Sequence, residues 1–588
     1  MRFRKPVIAV TAVGMLALAA CGGSGEPADE NGRAKGVDTE KLADTGTGMD
    51  AERKGPVKID GATEGGTVTV LSYAGLNSMD PTEAYYQSTM SILSGLVTRS
   101  LTQFAYDEES GEMVLVPDLA TDLGTPNEDY TEWEFTIRDG VKWENGEEVT
   151  AEDVRYGILR SFDRATFLEG ANYSNAYFLD GDEYKGPYES GTDYPGVEVD
   201  GDTLTLKMAR PFPDMPYWGS FPAMGPIPEG EDEPEEYRLH PWSTGPYMFE
   251  NYNPEKSLTL VRNPHWDPNT DPARTQYPEQ YVFDFQTDST KIDQILLKDQ
   301  GEAQTTMTYD NVLAANFRTF QDEHADRLVL GGSPLTTYWA PDYRKVTDKR
   351  VRQALAWAYP YRDAALAAGY VEDVTRIWGT NLLPPGMPGR TEYNPLPGHE
   401  PGSTDTAKAR ELLEEADAVG YEIKWLFQND DPNIVKATDI VVKSLEEAGF
   451  EASPVATTIA NFSTDREDPD NDDINVRSGG WLSDWPSGGS WFPPVFQSTD
   501  LEEEGLGSNY AVFSEPEVDQ RIEEISMLPI EEQPAAWNEL DEFIATEYFP
   551  LFVLGYGGVA MAHGSKIEGF EVDSAAGMPT WKGIWVDQ

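Results

Sequence analysis

Cysteine is almost missing from this chain: Cys21 is the only one in 588 residues. With one thiol, no disulfide can form within a single molecule, so the fold has to be held by packing. Histidine is nearly as scarce. His240, His265, His324, His399 and His563 are scattered, with no pair at metal-ligand spacing, so no zinc site is expected. Basic residues are few for the size, with 44 Lys and Arg against 104 Asp and Glu and a formal net charge of −60. A phosphate backbone would be repelled by such a field, which excludes nucleic acid as a partner. The acidity itself reads either as a solvated coat or as a field that steers cationic solutes, and both readings stand. Catalytic signatures are missing too: there is no Gly-x-Ser-x-Gly elbow and no Gly-x4-Gly-Lys-Ser/Thr loop. "DPDNDD" (468–473) spaces Asp468, Asp470 and Asp472 like a calcium loop. Its sixth position is Asp473 instead of Gly and its twelfth is Gly479 instead of Glu, so the hand is incomplete and a solvated acidic loop is expected. No metal and no cofactor is implied.

Long apolar runs are also lacking. The uncharged stretch Pro6 to Ala20 follows Met1, Arg2, Phe3, Arg4 and Lys5, falls short of the roughly 20 residues of a bilayer span, and has no later equal. Its layout is that of a secretory signal peptide over residues 1–20. Leu18, Ala19, Ala20 and Cys21 resemble a bacterial lipobox, in which cleavage before the cysteine frees its thiol for a diacylglycerol. Acyl chains contribute about 0.8 kcal/mol per buried CH₂, so Cys21 is expected to hold the protein at the extracellular face of the cell membrane. Residues 21–66 have few large apolar side chains and read as a lipidated flexible tether.

From Thr67 the pattern becomes one of short strands and capped helices. Trp133, Phe135 and Ile137 alternate with polar neighbours, and Val141 and Trp143 resume after Asp139-Gly140, which predicts a hairpin with one apolar face. Asn145-Gly146 supplies a further turn. Thr150 and Asp153 form a capping-box pair ahead of Val154, Ile158 and Phe162, one stripe of a helix. Val197 and Val199, then Asp200-Gly201, then Leu204, Leu206 and Met208 predict a second hairpin. Val351, Leu355 and Ala358 mark one helix, and Asp405 caps another that buries Ala409, Leu412, Leu413 and Ala416. Strands and helices interleave throughout, so the expected class is mixed α/β with several mixed sheets.

Four stretches carry a resemblance: "FTIRDGVKWENGEEVTAEDVRYGILRSF" (135–162), "STGPYMFENYNPEKSLTLVRNPHWDP" (243–268), "DKRVRQALAWA" (348–358) and "GGWLSDWP" (479–486). In this order they resemble the family 5 extracellular solute-binding proteins of ABC importers, and most of all the oligopeptide-binding lipoproteins of actinobacteria. The resemblance implies a two-lobed periplasmic-binding-protein-like fold of type II, with an inserted subdomain in the first lobe. Lobe I would comprise 67–97, 210–334 and 556–588, the insertion 98–209, and lobe II 335–555. It also implies a monomer that captures an oligopeptide between its lobes and hands it to an ABC permease and its ATPase subunits, with no enzymatic step. Asp484 occupies the position that receives the peptide amine in relatives. Trp481, Trp485, Tyr85 and Tyr86 are the candidate aromatic contacts, and Arg477 is the candidate counter-charge or ligand-carboxylate contact. An oligosaccharide or nickel-chelate receptor of the same fold is the alternative within the class, and a secreted acid hydrolase the alternative outside it.

Overall fold

The computed structural model describes residues 47–107, 110–498 and 507–588. Residues 1–46, which hold the expected signal segment, Cys21 and most of the expected tether, lie outside the described residues. The chain divides into two compact units. The first takes Thr45–Gly331, Ser526–Ile530 and Ala560–Gln588, and the second takes Gly332–Ile525 and Glu531–Val559. Two junctions fall inside strands, in Leu328–Pro341 and in Phe552–Ala562.

In the first unit, a five-stranded sheet runs in the order Thr306–Thr308, Thr67–Leu71, Gln280–Asp284, Ser257–Arg262, Tyr247–Asn253. Thr67–Leu71 is parallel to both neighbours, and the last two pairings are antiparallel. A four-stranded sheet holds the strand Glu132–Thr136, whose Trp133 and Phe135 are buried. The apolar face of that strand is the expected one, but its partner is not. It pairs with Thr203–Lys207, setting Trp133 against Leu206 and Phe135 against Leu204, whereas after Asp139-Gly140 the chain makes only an isolated bridge, Lys142 to Glu148. The distant strand offers two leucines in register, and cross-strand apolar pairs are what stabilise a ladder. Val197–Asp200 joins the other side of Thr203–Lys207 through a tight turn in which Gly201 has φ +65°. The capping box forms as expected: the Asp153 amide donates to Thr150 Oγ1 (3.3 Å) and the Thr150 amide donates to Asp153 Oδ2 (2.8 Å), starting the helix Ala151–Arg160.

The expected tether is shorter than residues 21–66. Thr47–Met49 pairs in parallel with Glu112–Pro117, the Arg53 guanidinium donates to the Tyr106 carbonyl (3.0 Å), and the Ile59 amide donates to the Tyr277 hydroxyl (3.1 Å). Residues 53 to 59 alternate between partly buried and exposed, so the short apolar alternation of Val57 and Ile59 is the signal that composition alone hides.

The core of the first unit contains a closed set of charges. Arg99 meets Asp118 at 2.6 Å, and Arg274 meets Asp118 at 2.8 Å and Asp271 at 3.2 Å, with all four side chains fully buried. Burial alone would raise the Asp271 carboxyl, but Arg274 and Arg99 hold it well below the ordinary carboxylate range.

The second unit is built on a six-stranded sheet in the order Arg376–Ile377, Phe552–Ala562, Leu328–Pro341, Val476–Leu482, Glu422–Gln428, Glu451–Thr457. The last two strands are parallel and joined by the helix Pro432–Ala448. Asp431 caps that helix by accepting from the Asn433 amide (2.8 Å), Pro432 opens it, and Gly449 closes it at φ +103°. Its Val441 and Leu445 pack with Leu355, Leu413, Trp339 and Trp425 into one core cluster. Leu412 and Ala416, expected in the buried stripe of the helix Thr406–Glu415 and its end, are partly buried at the margin of the cluster.

Candidate functional site

In the second unit the strand Val476–Leu482 ends in a bend that carries Asp484. That bend is braced around one hydroxyl. Ser490 Oγ donates to the carbonyls of Trp485 (2.8 Å) and Ser487 (3.0 Å), while the Trp481 indole donates to the Ser490 carbonyl (2.8 Å). The Ser483 amide ties the bend to the Pro334 carbonyl (2.9 Å). Asp484 is partly buried within this hydrogen-bonded bend. Trp481 is partly buried beside it in sequence, whereas Trp485 is buried.

The same strand contributes Ser478 and Gly479 to the wall of a cavity of about 310 Å³ lying wholly within the second unit. Ligand pockets begin near this size, and their usual make-up is an apolar lining with a few placed polar groups. Trp339, Trp425, Tyr359 and Phe462 supply flat apolar surface, and Arg376, Arg466, Thr337 and Gln428 supply polar groups. Burial holds the Tyr359 and Tyr361 phenols above their ordinary range, so both are neutral donors at any physiological pH.

Arg477 is placed differently from the ligand contact expected of it. Its side chain is fully buried, its Nη1 meets Asp342 Oδ2 at 3.0 Å, and its other nitrogens donate to the carbonyls of Arg466 (2.9 Å) and Asp468 (3.1 Å). It fastens the acidic 468–473 loop to the sheet. Strand alternation explains the outcome: adjacent residues face opposite sides, and it is Ser478 that lines the cavity.

Tyr85 and Tyr86 belong to the first unit. They follow the "NSMDP" turn, which is pinned where buried Asp80 accepts from Arg160 at 2.8 and 3.0 Å. Tyr85 is partly buried, and Tyr86 is exposed at the start of the helix Gln87–Ile92. Asp484, Trp481, Trp485 and Arg477 are thus together in one unit, and the two tyrosines are in the other. The cavity residues Arg376 and Arg466 escaped sequence reasoning, because neither lies in a motif and only the sheet order brings them together.

Two compact α/β units, the second with an aromatic-lined cavity, are the features to set beside known proteins. Residues 114–503 match the family of bacterial extracellular solute-binding proteins, family 5, and the chain belongs to that family. It is accordingly a substrate-binding component of transport, not an enzyme. The E. coli K12 dipeptide-binding protein is 23% identical over 488 residues, covering 79% of this chain and 85% of that one. The periplasmic oligopeptide-binding protein OppA of Salmonella typhimurium LT2 is 24% identical over 243 residues, and there the chain spans only 42% of the relative's length and 40% of its own. Among solved structures, the clavulanic acid biosynthesis oligopeptide binding protein 2 superposes with a TM-score of 0.83 at 23% identity, covering 93% of this chain and 98% of that one. DppA from Helicobacter pylori, solved with the peptide STSA, gives a TM-score of 0.67 at 17% identity over 90% of this chain and 99% of that one. At these identities the likeness establishes the fold.

Proposed function

We propose that this protein is the lipid-anchored binding component of an ABC importer, capturing oligopeptides and delivering them to a membrane permease whose ATPase subunits drive transport. The observation that carries the reading is the braced bend holding Asp484. A peptide backbone can be gripped by groups that ignore its sequence, but its free amine calls for a fixed anion. A charge-assisted bond from ammonium to carboxylate supplies roughly 1.5 to 3 kcal/mol. The bend that carries the carboxylate is fastened around the Ser490 hydroxyl, so its backbone needs little reorganisation when the amine arrives. Trp481, Trp485, Tyr85 and Tyr86 are assigned the supporting aromatic surface, and Arg477 acts indirectly by fixing the adjacent loop. Capture by hinge closure requires only that the ligand bind the closed state better than the open one. Cys21 carries the lipid.

Mass spectrometry of small molecules released by acid from the purified receptor tests the substrate. A ladder of short peptides supports the reading, and a lone oligosaccharide or metal chelate overturns the peptide assignment. With a defined peptide, acetylation of the amine should weaken binding about ten- to a hundredfold, and an unchanged affinity removes Asp484 from the site. Cys21→Ser should free the protein from membranes or leave its precursor uncut.

A further inference from the structure

Four strands of the five-stranded sheet in the first unit run the same way, Thr306–Thr308, Thr67–Leu71, Gln280–Asp284 and Tyr247–Asn253, so their carboxyl ends share one edge. Solutes of α/β folds bind beyond the carboxyl ends of such strands. Two of these ends run straight on into Ser72-Tyr73 and Tyr309-Asp310. The Asp310 carboxyl accepts from the Tyr73 amide (3.1 Å) and from the Ser72 hydroxyl. Its charge is felt by the phenols of Tyr73 and Tyr309, and Tyr309 in turn feels Tyr252, near the carboxyl end of its own strand. Tyr73 is 37% exposed, so the edge is open to solvent there. The Tyr252 hydroxyl is buried with no hydrogen-bond partner among the described residues.

In a chain with 104 acidic residues, one carboxylate is not a site. What sets Asp310 apart is that no cation offsets it among the described residues, and the neighbouring carboxylate, Asp293, only adds repulsion. Burial therefore pushes Asp310 up to about 6. Elsewhere in this unit Asp80, Asp118 and Asp271 each meet an arginine at 3.2 Å or less. A partly buried carboxylate among ring faces, beside an unused hydroxyl, has the make-up of a receptor for an organic cation.

We infer that this edge of the first unit is a cation subsite for a lysine or arginine side chain of the bound peptide, its charged head on Asp310 and its stem against Tyr73 and Tyr309. The inference rests on the proposed peptide-receptor reading and narrows its substrate class to peptides with a basic residue.

The test uses the whole receptor and a pool of lysine peptides of varied length and register, compared with the same pool acetylated on its side-chain amines alone. Acetylation should weaken binding roughly tenfold or more, and Asp310→Asn should erase that difference. The acidic surface is otherwise the same in both proteins, so the comparison isolates Asp310. The asparagine oxygen still accepts from the Tyr73 amide, and the variant should melt at neutral pH at the parent's temperature or higher. A fall of several degrees makes the carboxylate structural and overturns the inference. If peptides bind and the preference is absent, or survives in Asp310→Asn, the inference falls and the receptor reading stands. If Asp310→Asn instead erases the effect of acetylating the α-amine, Asp310 holds the peptide's amine and the side-chain assignment is overturned. If no peptide binds, cadaverine is titrated alone: Asp310-dependent binding keeps the cation subsite while the peptide reading falls, and binding that is absent or indifferent to Asp310 overturns both.

Discussion

Both units bury arginines with internal partners, Arg477 with Asp342 in the second among them, but the first gathers its buried arginines into a cluster and the second also keeps one without a carboxylate. In the first, Arg99, Arg274, Asp118 and Asp271 form a closed set with every member fully buried, and Arg160 is held by Asp80 (2.8 Å) and Asp232 (3.1 Å). In the second, the cavity keeps Arg376 without a carboxylate among the described residues. A charge whose partners are all internal can only hold the fold, whereas one whose strongest partner is not internal can respond to a solute. The contrast separates guanidinium groups satisfied by aspartates within the fold from one whose partners are a hydroxyl and a ring face.

Breaking the closed set should have the largest effect. Asp118→Ala strips the shared partner from two buried guanidinium groups, and urea unfolding should report a loss of about 3 to 5 kcal/mol. A loss below about 1 kcal/mol would mean that the set is not the scaffold described here. Second in size is a pH effect that both units share. Burial pushes Asp541 in the second unit and Asp293 in the first up to about 6. A carboxyl with a raised folded-state value binds more protons folded than unfolded between about pH 4 and 6, so stability falls as pH rises through that window and then levels off. Each group should cost up to about 3 kcal/mol at neutral pH. Asp541→Asn, whose amide oxygen can still accept from Leu382 and Tyr393 while its NH2 replaces the oxygen that accepts from Leu383, should flatten part of the slope of melting temperature against pH. Next, Asp484→Asn should weaken an amine-bearing peptide by about 1.5 to 3 kcal/mol in titration while leaving the unfolding midpoint in place. That pairing of outcomes is the reverse of the one expected for Asp118→Ala. The smallest change is Thr150→Ala, which removes half of the capping box and should lower stability by about 1 kcal/mol with no effect on ligand.

Local features were readable from the chain in proportion to how local they are. Thr150 and Asp153 are three residues apart, and their reciprocal bonds form as the sequence implies. The buried faces of Trp133 and Phe135 were equally plain, since alternation needs no knowledge of the partner strand. Their partner, Thr203–Lys207, lies some 70 residues on, and no turn chemistry points to it. The cavity follows the same rule. Thr337, Arg376, Trp425 and Arg466 come from separate elements, and only the order of strands in the second sheet makes them neighbours. Arg477 was placed near the site by motif position, and the two-residue periodicity of a strand turned it to Asp342 instead. The mixed α/β class was legible throughout because it depends on element type alone.

The short pairing of Thr47–Met49 with Glu112–Pro117 has a practical consequence for anyone handling the protein. Glu112–Pro117 is the middle strand of its three, and the run Met113-Val114-Leu115-Val116 is strongly apolar. A chain trimmed to begin at Gly66, where composition suggests the body starts, would leave that strand with an unpaired edge. Bare apolar edges template association with other chains. Such a preparation would be expected to clump with its ligand-binding unit intact, and its loss from solution would be mistaken for a defect in binding.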